Sequence, residues 1–221
     1  SLPLLSGICR AGKCIEDWIS PSFSGSIFEI FDIAEGMDRV PSMRNFDALI
    51  VSGSERSVYD DDPWHDDVSH ALNESREMRK PIFGICFGHQ IMASTFGGEV
   101  RRLSRDDVVG IKKFVHRDGH ASNRFVWHHD QVTRPPDCAT LVASSDYCPF
   151  ASLEYNFPAF SVQYHPEFKK EYFEKLLLAG EGTFLSAKQT QRALMEIKKV
   201  RVSRDADLKK VMQLLCYNCL R

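Results

Sequence analysis

The chain has 221 residues, of which 43% are hydrophobic and 26% charged, and its formal net charge is −2. The length suits one large domain or two small ones, and the composition is that of a soluble globular protein. The weak net charge excludes a general attraction to nucleic acid, and the apolar runs are too short to span a membrane. We therefore expect no nucleic-acid partner and no membrane partner.

Cysteine usage indicates the compartment. The seven cysteines are odd in number and irregularly spaced, which favours a reducing compartment over a disulfide framework. No basic segment followed by an apolar one resembles a signal peptide, so we expect a cytoplasmic location. The C-x-x-C at residues 216–219 has no second pair. We interpret it as two thiols near the end of the chain, with a redox or zinc site as the alternative.

Apolar patterns alternate between strand and helix in the first half of the chain. Residues 2–9 and 27–33 predict two strands with helically spaced apolar residues between them, and residues 47–51 predict a third, buried strand. This alternation predicts an open, mostly parallel α/β sheet with helices on both faces. Ligands of such sheets bind outside the carboxyl ends of the strands, where the loop at Gly53 lies.

An acidic cluster follows the third predicted strand. Asp62 suits the N-cap of a helix over residues 64–79, with Pro63 at the first helical position. Asp66 and Asp67 would then lie in the first turn, where the helix dipole favours negative charge. We interpret the cluster as a helix start; a metal site is the alternative.

Residues 81–93 hold the most informative pattern. A buried strand ends at Cys86, and a helical period begins after Gly88. Glycines two residues before and two after the cysteine permit a tight turn that lifts the side chain of Cys86 onto the sheet edge, as in the G-x-S-x-G elbow of hydrolases. The following helix N-terminus favours the thiolate. A small cysteine packed at a strand end is the alternative interpretation.

A cysteine nucleophile needs a base, and the base needs an orienting group. Residues 163–167 read Q-Y-H-P-E and supply His165 with Glu167 two residues later. We interpret His89, beside the elbow, as a local packing or hydrogen-bonding residue. Four further histidines are interpreted as surface residues, because no pair has the spacing of a metal site with a matching carboxylate: His65, His70, His116 and His120. We expect no metal and no cofactor.

Short strand-like segments replace the alternation after residue 99, with connections rich in Asp, Gly, Asn and Pro. They predict a short antiparallel section beside the parallel sheet. These strands cover residues 99–103, 108–115, 124–127, 139–143, 150–154 and 159–163.

The end of the chain is helical in pattern. A helix is predicted at residues 168–179, and a helical region at about 186–216 follows a polar break. We therefore expect a domain of residues 1–180 and a C-terminal helical extension, residues 181–221, packed on the same domain. A helix that docks a partner is the alternative for the extension.

Three segments together resemble the class I glutamine amidotransferase family, the triad type also found in GMP synthetase. Residues 84–90 match its G-x-C-x-G-x-Q elbow, residues 165–167 match its H-P-E motif, and residues 51–54 match its glycine loop. Residues 127–132 are similar to a further family loop. The likeness covers roughly residues 27–180 and implies a flavodoxin-like fold. It is nearer to free-standing, GMP synthetase-like members through residues 53–54, 58–60 and 63–64.

The resemblance implies a mechanism and a set of roles. Cys86 would attack the side-chain amide of glutamine, His165 would move the proton, and Glu167 would orient the imidazole. Backbone N–H groups of Gly53 and Phe87 would hold the oxyanion. The resemblance assigns the amino-acid end of the substrate to Ser54, Gln90, His129 and Asp130.

Several functions share this chemistry. The resemblance implies a glutaminase that releases glutamate and ammonia from L-glutamine, either free-standing or as the partner of a separate ammonia-accepting synthetase. The chain is too short to carry an ATP-pyrophosphatase domain and contains no P-loop. A γ-glutamyl peptidase with the same triad is the alternative enzyme, because only the leaving amine differs. A non-catalytic binding or regulatory protein is the remaining alternative.

Overall fold

The computed structural model describes residues 11–34, 36–60, 62–103, 108–202 and 204–216. The first predicted strand, residues 2–9, lies outside this range, as does most of the C-x-x-C. No helix within the described range is long and apolar enough to cross a membrane.

The helices are α1 (Ala11–Ile19), α2 (Trp64–Glu77), α3 (Phe87–Thr95), α4 (Lys170–Gly180), α5 (Ala187–Lys199) and α6 (Asp205–Leu215). The strands are β1 (Leu49–Val51), β2 (Ile82–Ile85), β3 (Glu99–Arg102), β4 (Val108–His116), β5 (Ala121–His128), β6 (Asp130–Arg134), β7 (Ala139–Ser144), β8 (Ser152–Tyr155) and β9 (Ala159–Val162).

Seven strands form one sheet in the order β1-β2-β9-β8-β7-β4-β5. β2 pairs in parallel with β1 on one side and with β9 on the other, and the remaining strands continue the sheet in antiparallel fashion. A separate two-stranded antiparallel sheet joins β3 to β6. The predicted α/β class is confirmed, and the antiparallel section is longer than the sequence predicts.

Helices cover both faces of the parallel strands. In β2, Phe83 and Ile85 contribute to a cluster with α1 and α6, whereas Ile82 contributes to a second cluster with α2 and α3. This alternation is the two-residue period of a strand buried on both sides. Phe83 also stacks on Phe160 of β9, with ring centroids 5.9 Å apart. Each such buried side chain contributes roughly 1.5–3 kcal/mol, so β2 is fixed tightly in the sheet.

The strand predicted at residues 27–33 is wrong. This segment has no strand assignment and pairs with no described strand, and Ile27 is 88% exposed. Alternating side chains fit an extended backbone, but a strand also needs a neighbouring edge for its hydrogen bonds. The alternating pattern of residues 27–33 therefore indicates an extended backbone but does not show that this backbone pairs with another strand.

Three other differences concern single elements. The sequence pattern does not predict β6 because its residues are mostly polar, and only its pairing with β3 identifies it as a strand. The N-cap of α2 is Pro63 and makes no side-chain cap, whereas Asp62 accepts a bond from His65 through its carbonyl oxygen at 3.0 Å. The carboxylate of Asp62 lies 3.6 Å from Nε of Arg56 instead. The helical region at 186–216 is divided into α5 and α6 because Val200 adopts an extended conformation.

The turn between β2 and α3 requires two glycines. A Cβ on Gly88 would lie 2.1 Å from the carbonyl oxygen of Val51, and a Cβ on Gly84 would lie 2.7 Å from the carbonyl carbon of Gly88. The N–H of Gly88 donates to the carbonyl of Ser52 at 3.1 Å. The first turn of α3 therefore packs directly against the backbones of β1 and β2.

We expect Gly88→Ala to destabilise the protein by about 3 kcal/mol or more, because the added methyl group meets rigid backbone atoms. Ser94→Ala, at an exposed position on the same helix, is the matched control and should change stability by less than about 0.5 kcal/mol. Urea unfolding followed by circular dichroism measures both values. Equal stability of the two variants would contradict the close packing.

Candidate active site

Cys86 occupies the strained position between β2 and α3. Its φ angle is +53°, a conformation that costs roughly 1–3 kcal/mol for a residue with a side chain. The N–H of Cys86 donates to the carbonyl of Val162 at 2.8 Å, which holds the turn against the end of β9. Sγ lies 3.7 Å from the carbonyl oxygen of Trp127 and 3.6 Å from Nε2 of Gln163. The thiol is therefore fixed at the carboxyl ends of the parallel strands.

The structure brings His165 and Glu167 to this thiol from the loop after β9. The His165 side chain hydrogen-bonds to the side chain of Cys86. On its other side, Nδ1 of His165 donates to Oε1 of Glu167 at 2.8 Å. The imidazole also stacks on Phe168, with ring centroids 4.1 Å apart and planes 4° from parallel. Both the position and the plane of the imidazole are therefore fixed.

The electrostatics of the site favour a charged imidazole. Burial by itself lowers the pKa of His165, but the negative charges of Glu167 and then of Cys86 outweigh it and raise that pKa to about 10. His165 is therefore protonated at neutral pH. A cation in contact with the sulfur favours the thiolate, which is the nucleophilic form of cysteine.

The backbones of Phe87 and Gly53 lie next to Cys86. Phe87 is the first residue of α3, so its N–H has no acceptor within the helix. Gly53 packs directly on Cys86 and His165: a Cβ there would lie 3.1 Å from Cε1 of His165 and 3.4 Å from Cβ of Cys86. The absence of a side chain at this position is what allows the loop after β1 to approach the sulfur.

Two of the predicted substrate-binding residues, Gln90 and Ser54, make hydrogen bonds within the protein. Both amide protons of Gln90 are used inside the protein, because Nε2 donates to the carbonyl of Asp130 at 2.9 Å and to Oε1 of Gln163 at 3.1 Å. Ser54 accepts a bond from the N–H of Arg56 at 3.1 Å and thereby shapes the loop after β1. Gln90 thus links α3 to the residue that contacts the sulfur.

The Asp130 carboxylate joins two loops at the edge of the site. It accepts hydrogen bonds from the hydroxyl groups of Ser57 and Tyr59, and it lies 3.4 Å from Nε2 of His129. Burial raises the pKa of Asp130, but its bonds to His129, Ser57 and Tyr59 outweigh burial and lower it. The charged carboxylate thus holds the loop after β1 against the corner between β5 and β6.

Three residues of this arrangement receive no role from the sequence. Gln163 stands two residues before His165 in the same motif, so its position next to the sulfur could have been inferred from that spacing. Ser57 and Tyr59 follow β1 in a loop that resembles the family at residues 58–60, but this resemblance assigns no role to either side chain. Only the folded structure connects them to Asp130, which is more than 70 residues away in the sequence.

Buried histidines beside the site are neutral. Nε2 of His89 donates to the carbonyl of Phe150 at 2.9 Å, because a carbonyl can only accept. Burial lowers the pKa of His89 to about 3, so the imidazole is neutral and its Nδ1 accepts from the hydroxyl of Ser161 at 2.8 Å. Burial likewise lowers the pKa of His128 to about 4. The local role expected for His89 fits this geometry.

The prediction that His65 lies on the surface is wrong. Its side chain is buried between Trp64 and Phe87, with ring centroids at 4.1 Å and 5.5 Å. The position follows from the turn of α2 that faces α3, and periodicity alone does not reveal it because the neighbouring residues are acidic.

The stability supplied by the His165–Glu167 pair should depend on pH. The folded-state pKa of His165 is raised from 6.5 to about 10, so this contribution is complete below pH 6.5 and is lost as the pH rises through 10. Glu167→Gln removes the charge responsible. We expect the difference in unfolding free energy between wild type and Glu167→Gln to shrink from pH 6.5 to pH 10, as measured by urea unfolding. A difference that is constant over this range would contradict the ion pair.

Known proteins resemble the chain in sequence and in fold. Gamma-glutamyl peptidase 5 of Arabidopsis thaliana is 26% identical over 211 residues, which cover 89% of this chain and 82% of that protein. A subunit of the glutamine-hydrolyzing GMP synthase of Methanococcus maripaludis is 33% identical over 106 residues, which cover 44% of this chain and 56% of that protein. The crystal structure of a glutamine amidotransferase from Thermotoga maritima matches with a TM-score of 0.75 at 18% identity, covering 94% of this chain and 92% of that one.

The structural match shows the fold, and the sequence match shows the family. The family described as "Glutamine amidotransferase class-I" matches residues 26–182, a stretch that contains β1, the elbow, β9 and the loop of His165. Most of the chain is covered by this match. The chain belongs to the class I glutamine amidotransferase family.

Proposed function

We propose that this chain is a cysteine-dependent hydrolase of γ-glutamyl amides, with L-glutamine as the first candidate substrate. The observation that carries the proposal is the contact between Cys86 and a protonated His165 that is oriented by Glu167. A strained elbow, a cation beside the thiol and a buried orienting carboxylate are the parts that a thiolate nucleophile requires.

The first half-reaction forms a thioester. The Cys86 thiolate attacks the γ-carbonyl carbon, and the N–H groups of Gly53 and Phe87 stabilise the developing oxyanion, at a few kcal/mol per donor. The His165 imidazolium then gives its proton to the leaving nitrogen, the carbon–nitrogen bond breaks, and ammonia departs from glutamine. This leaves a γ-glutamyl thioester on Cys86 and a neutral His165.

The second half-reaction restores the enzyme. Neutral His165 accepts a proton from water as the water oxygen attacks the thioester carbonyl. The carbon–sulfur bond breaks, glutamate leaves, and the thiolate–imidazolium pair is restored. Glu167 holds Nδ1 of His165 through both steps, so that the same ring nitrogen faces the reacting atoms.

We infer that the amino-acid end of the substrate lies between the loop after β1 and the corner before β6. Ser54 and His129 border this region. Gln90 and Asp130 do not face the substrate; their hydrogen bonds hold the loop after β1 and the corner before β6 in place. Gln163 contacts the sulfur through Nε2 and so stabilises the thiolate between turnovers.

A γ-glutamyl peptide is the second candidate substrate. The observation that favours it is the extent of the likeness to Arabidopsis gamma-glutamyl peptidase 5, which covers 89% of this chain, whereas the likeness to GMP synthase proteins covers 44% to 69% of it. The acyl half of the reaction is the same for both substrates, because the scissile bond joins the γ-carbonyl to nitrogen in each. Only the space for the leaving amine differs.

A separate synthetase is the partner that the first candidate implies. The chain spans 56% of the length of the Methanococcus GMP synthase protein that it resembles. If the chain supplies ammonia to such a partner, the partner would carry the ammonia acceptor. The peptidase candidate needs no partner.

The experiment that tests the proposal compares both substrates with the purified chain. We expect glutamate release from L-glutamine or from γ-glutamylalanine, and none from α-glutamylalanine, since this control contains no γ-glutamyl amide bond. Glutamate is measured with a coupled dehydrogenase assay. Release from glutamine supports the glutaminase, and release from γ-glutamylalanine alone supports the peptidase. No release from either by folded protein would contradict a self-sufficient enzyme.

Cys86→Ser tests the nucleophile. We expect kcat to fall by about 10⁴-fold, because the hydroxyl is not ionised by the neighbouring imidazole. Cys138→Ser, a half-buried cysteine in the loop before β7, is the matched control and should keep wild-type turnover. If turnover survives in Cys86→Ser, the thioester mechanism is wrong.

A further inference from the structure

The strongest unassigned feature is a buried charge pair between α6 and β5. Nε of Arg124 lies 2.7 Å from Oδ2 of Asp207, and the two side chains are 1% and 4% exposed. Asp207 belongs to the first turn of α6, which lies beyond the residues 26–182 that match the family. Nothing in the proposed chemistry uses either residue, so the pair calls for a separate explanation.

Asp207 is bonded to the residue before the proposed base. The hydroxyl group of Tyr164 donates to Oδ1 of Asp207 at 2.9 Å, and Tyr164 immediately precedes His165. The Arg124 guanidinium lies over the Tyr164 ring, 5.3 Å from its centroid. Tyr164 is fully buried, so its hydroxyl needs this partner. The carboxylate of Asp207 thereby fixes the chain on one side of His165.

A second contact from the start of α6 fixes the chain on the other side. Nη1 of Arg204 donates to the backbone carbonyl of Glu167 at 3.2 Å. β5 completes the arrangement, because the carbonyl of Phe125, next to Arg124, accepts a bond from the N–H of His165 at 2.9 Å. Residues 164–167 are thus held at three points: the side chain of Tyr164, the N–H of His165 and the carbonyl of Glu167.

The energetics favour a role in positioning. Burial raises the pKa of Asp207 and the charge of Arg124 opposes this shift, so the carboxylate is held at a desolvation cost. Buried ion pairs generally contribute little more to stability than apolar residues of the same size would. Buried ion pairs do fix the relative position of their two side chains, since each charged group has few other partners inside the protein.

We propose that Arg204 and Asp207 form a positioning clamp, the α6 clamp, which sets the His165–Glu167 pair in register with Cys86. The α6 clamp acts through Tyr164, Arg124 and the Glu167 carbonyl and touches no reacting atom. This inference rests on the proposed function, and it extends the working site beyond the family domain. A small displacement of the imidazole is costly, since a shift of about 1 Å can lower a rate by about 100-fold.

Two mild variants test the α6 clamp. Tyr164→Phe removes only the hydroxyl bonded to Asp207, and Arg204→Ala removes only the donor to the Glu167 carbonyl. Matched controls are Tyr155→Phe, another buried tyrosine hydroxyl, and Lys209→Ala, an exposed residue of α6. Arg204→Lys restores a donor and should recover part of any loss. Thermal melting of each variant shows whether it is folded.

Turnover is the first readout. We expect each clamp variant to lower kcat about tenfold with KM changed by less than about twofold, because the ground-state pocket remains while the imidazole is misplaced. The double variant should lose more than either single variant. Both controls should keep wild-type kcat. Wild-type kcat in folded Tyr164→Phe and Arg204→Ala would overturn the clamp while leaving the proposed function intact.

The second readout does not need turnover. Alkylation of Cys86 by iodoacetamide, followed over a pH series by mass spectrometry of the Cys86 peptide, reports how well His165 stabilises the thiolate. We expect the clamp variants to be alkylated about tenfold more slowly than wild type at pH 7, since a displaced imidazolium stabilises the thiolate less. The same curve in clamp variants and controls would overturn the clamp. If no substrate is turned over, the proposed function fails. The pH dependence of Cys86 alkylation then still tests whether the α6 clamp positions His165.

Discussion

The constraint on which the site depends is the backbone of Cys86, held at a φ of +53° between β2 and α3. An L-residue stays in this conformation only where surrounding contacts determine it. Here those contacts are backbone to backbone: α3 begins directly against β1, and no atom fits between Gly88 and Val51. Because β2 is itself held between β1 and β9, the strain of one residue is supported by the whole parallel part of the sheet.

The same sheet brings together groups that are distant in sequence. β9 lies beside β2, so the loop that follows β9 delivers His165 to the sulfur that follows β2. Glu167 then raises the proton affinity of the imidazole from the far side. The site thus lies at the ends of two adjacent strands: Cys86 follows β2, and His165 follows β9. The glycine loop after β1 packs against both residues. Family membership is consistent with this arrangement, because the matched residues 26–182 contain all three loops.

Sequence reasoning succeeds where chemistry and backbone geometry are local. The elbow around Cys86 needs its glycines at fixed offsets, and the loop of His165 carries its orienting carboxylate two residues on, so both can be read from short motifs. It fails where pairing or burial depends on distant residues. Residues 27–33 have the alternation of a strand without a described partner, and β6 has a partner without the alternation. The contacts of Asp130 with Ser57, and of Tyr164 with Asp207, carry no sequence signal because each joins loops or helices far apart in the chain.

The position of β9 has a consequence for the order of folding. β2 is made early, and its partner on one edge arrives only after strands β3 to β8, with the whole antiparallel section, have been synthesised. Until then one edge of a fully apolar strand has unpaired backbone groups, which are the groups that recruit other chains. Pairings between distant segments are also slow to form. The chain therefore passes through a period in which β2, the strand that ends just before Cys86, has an unpaired edge that is prone to aggregation.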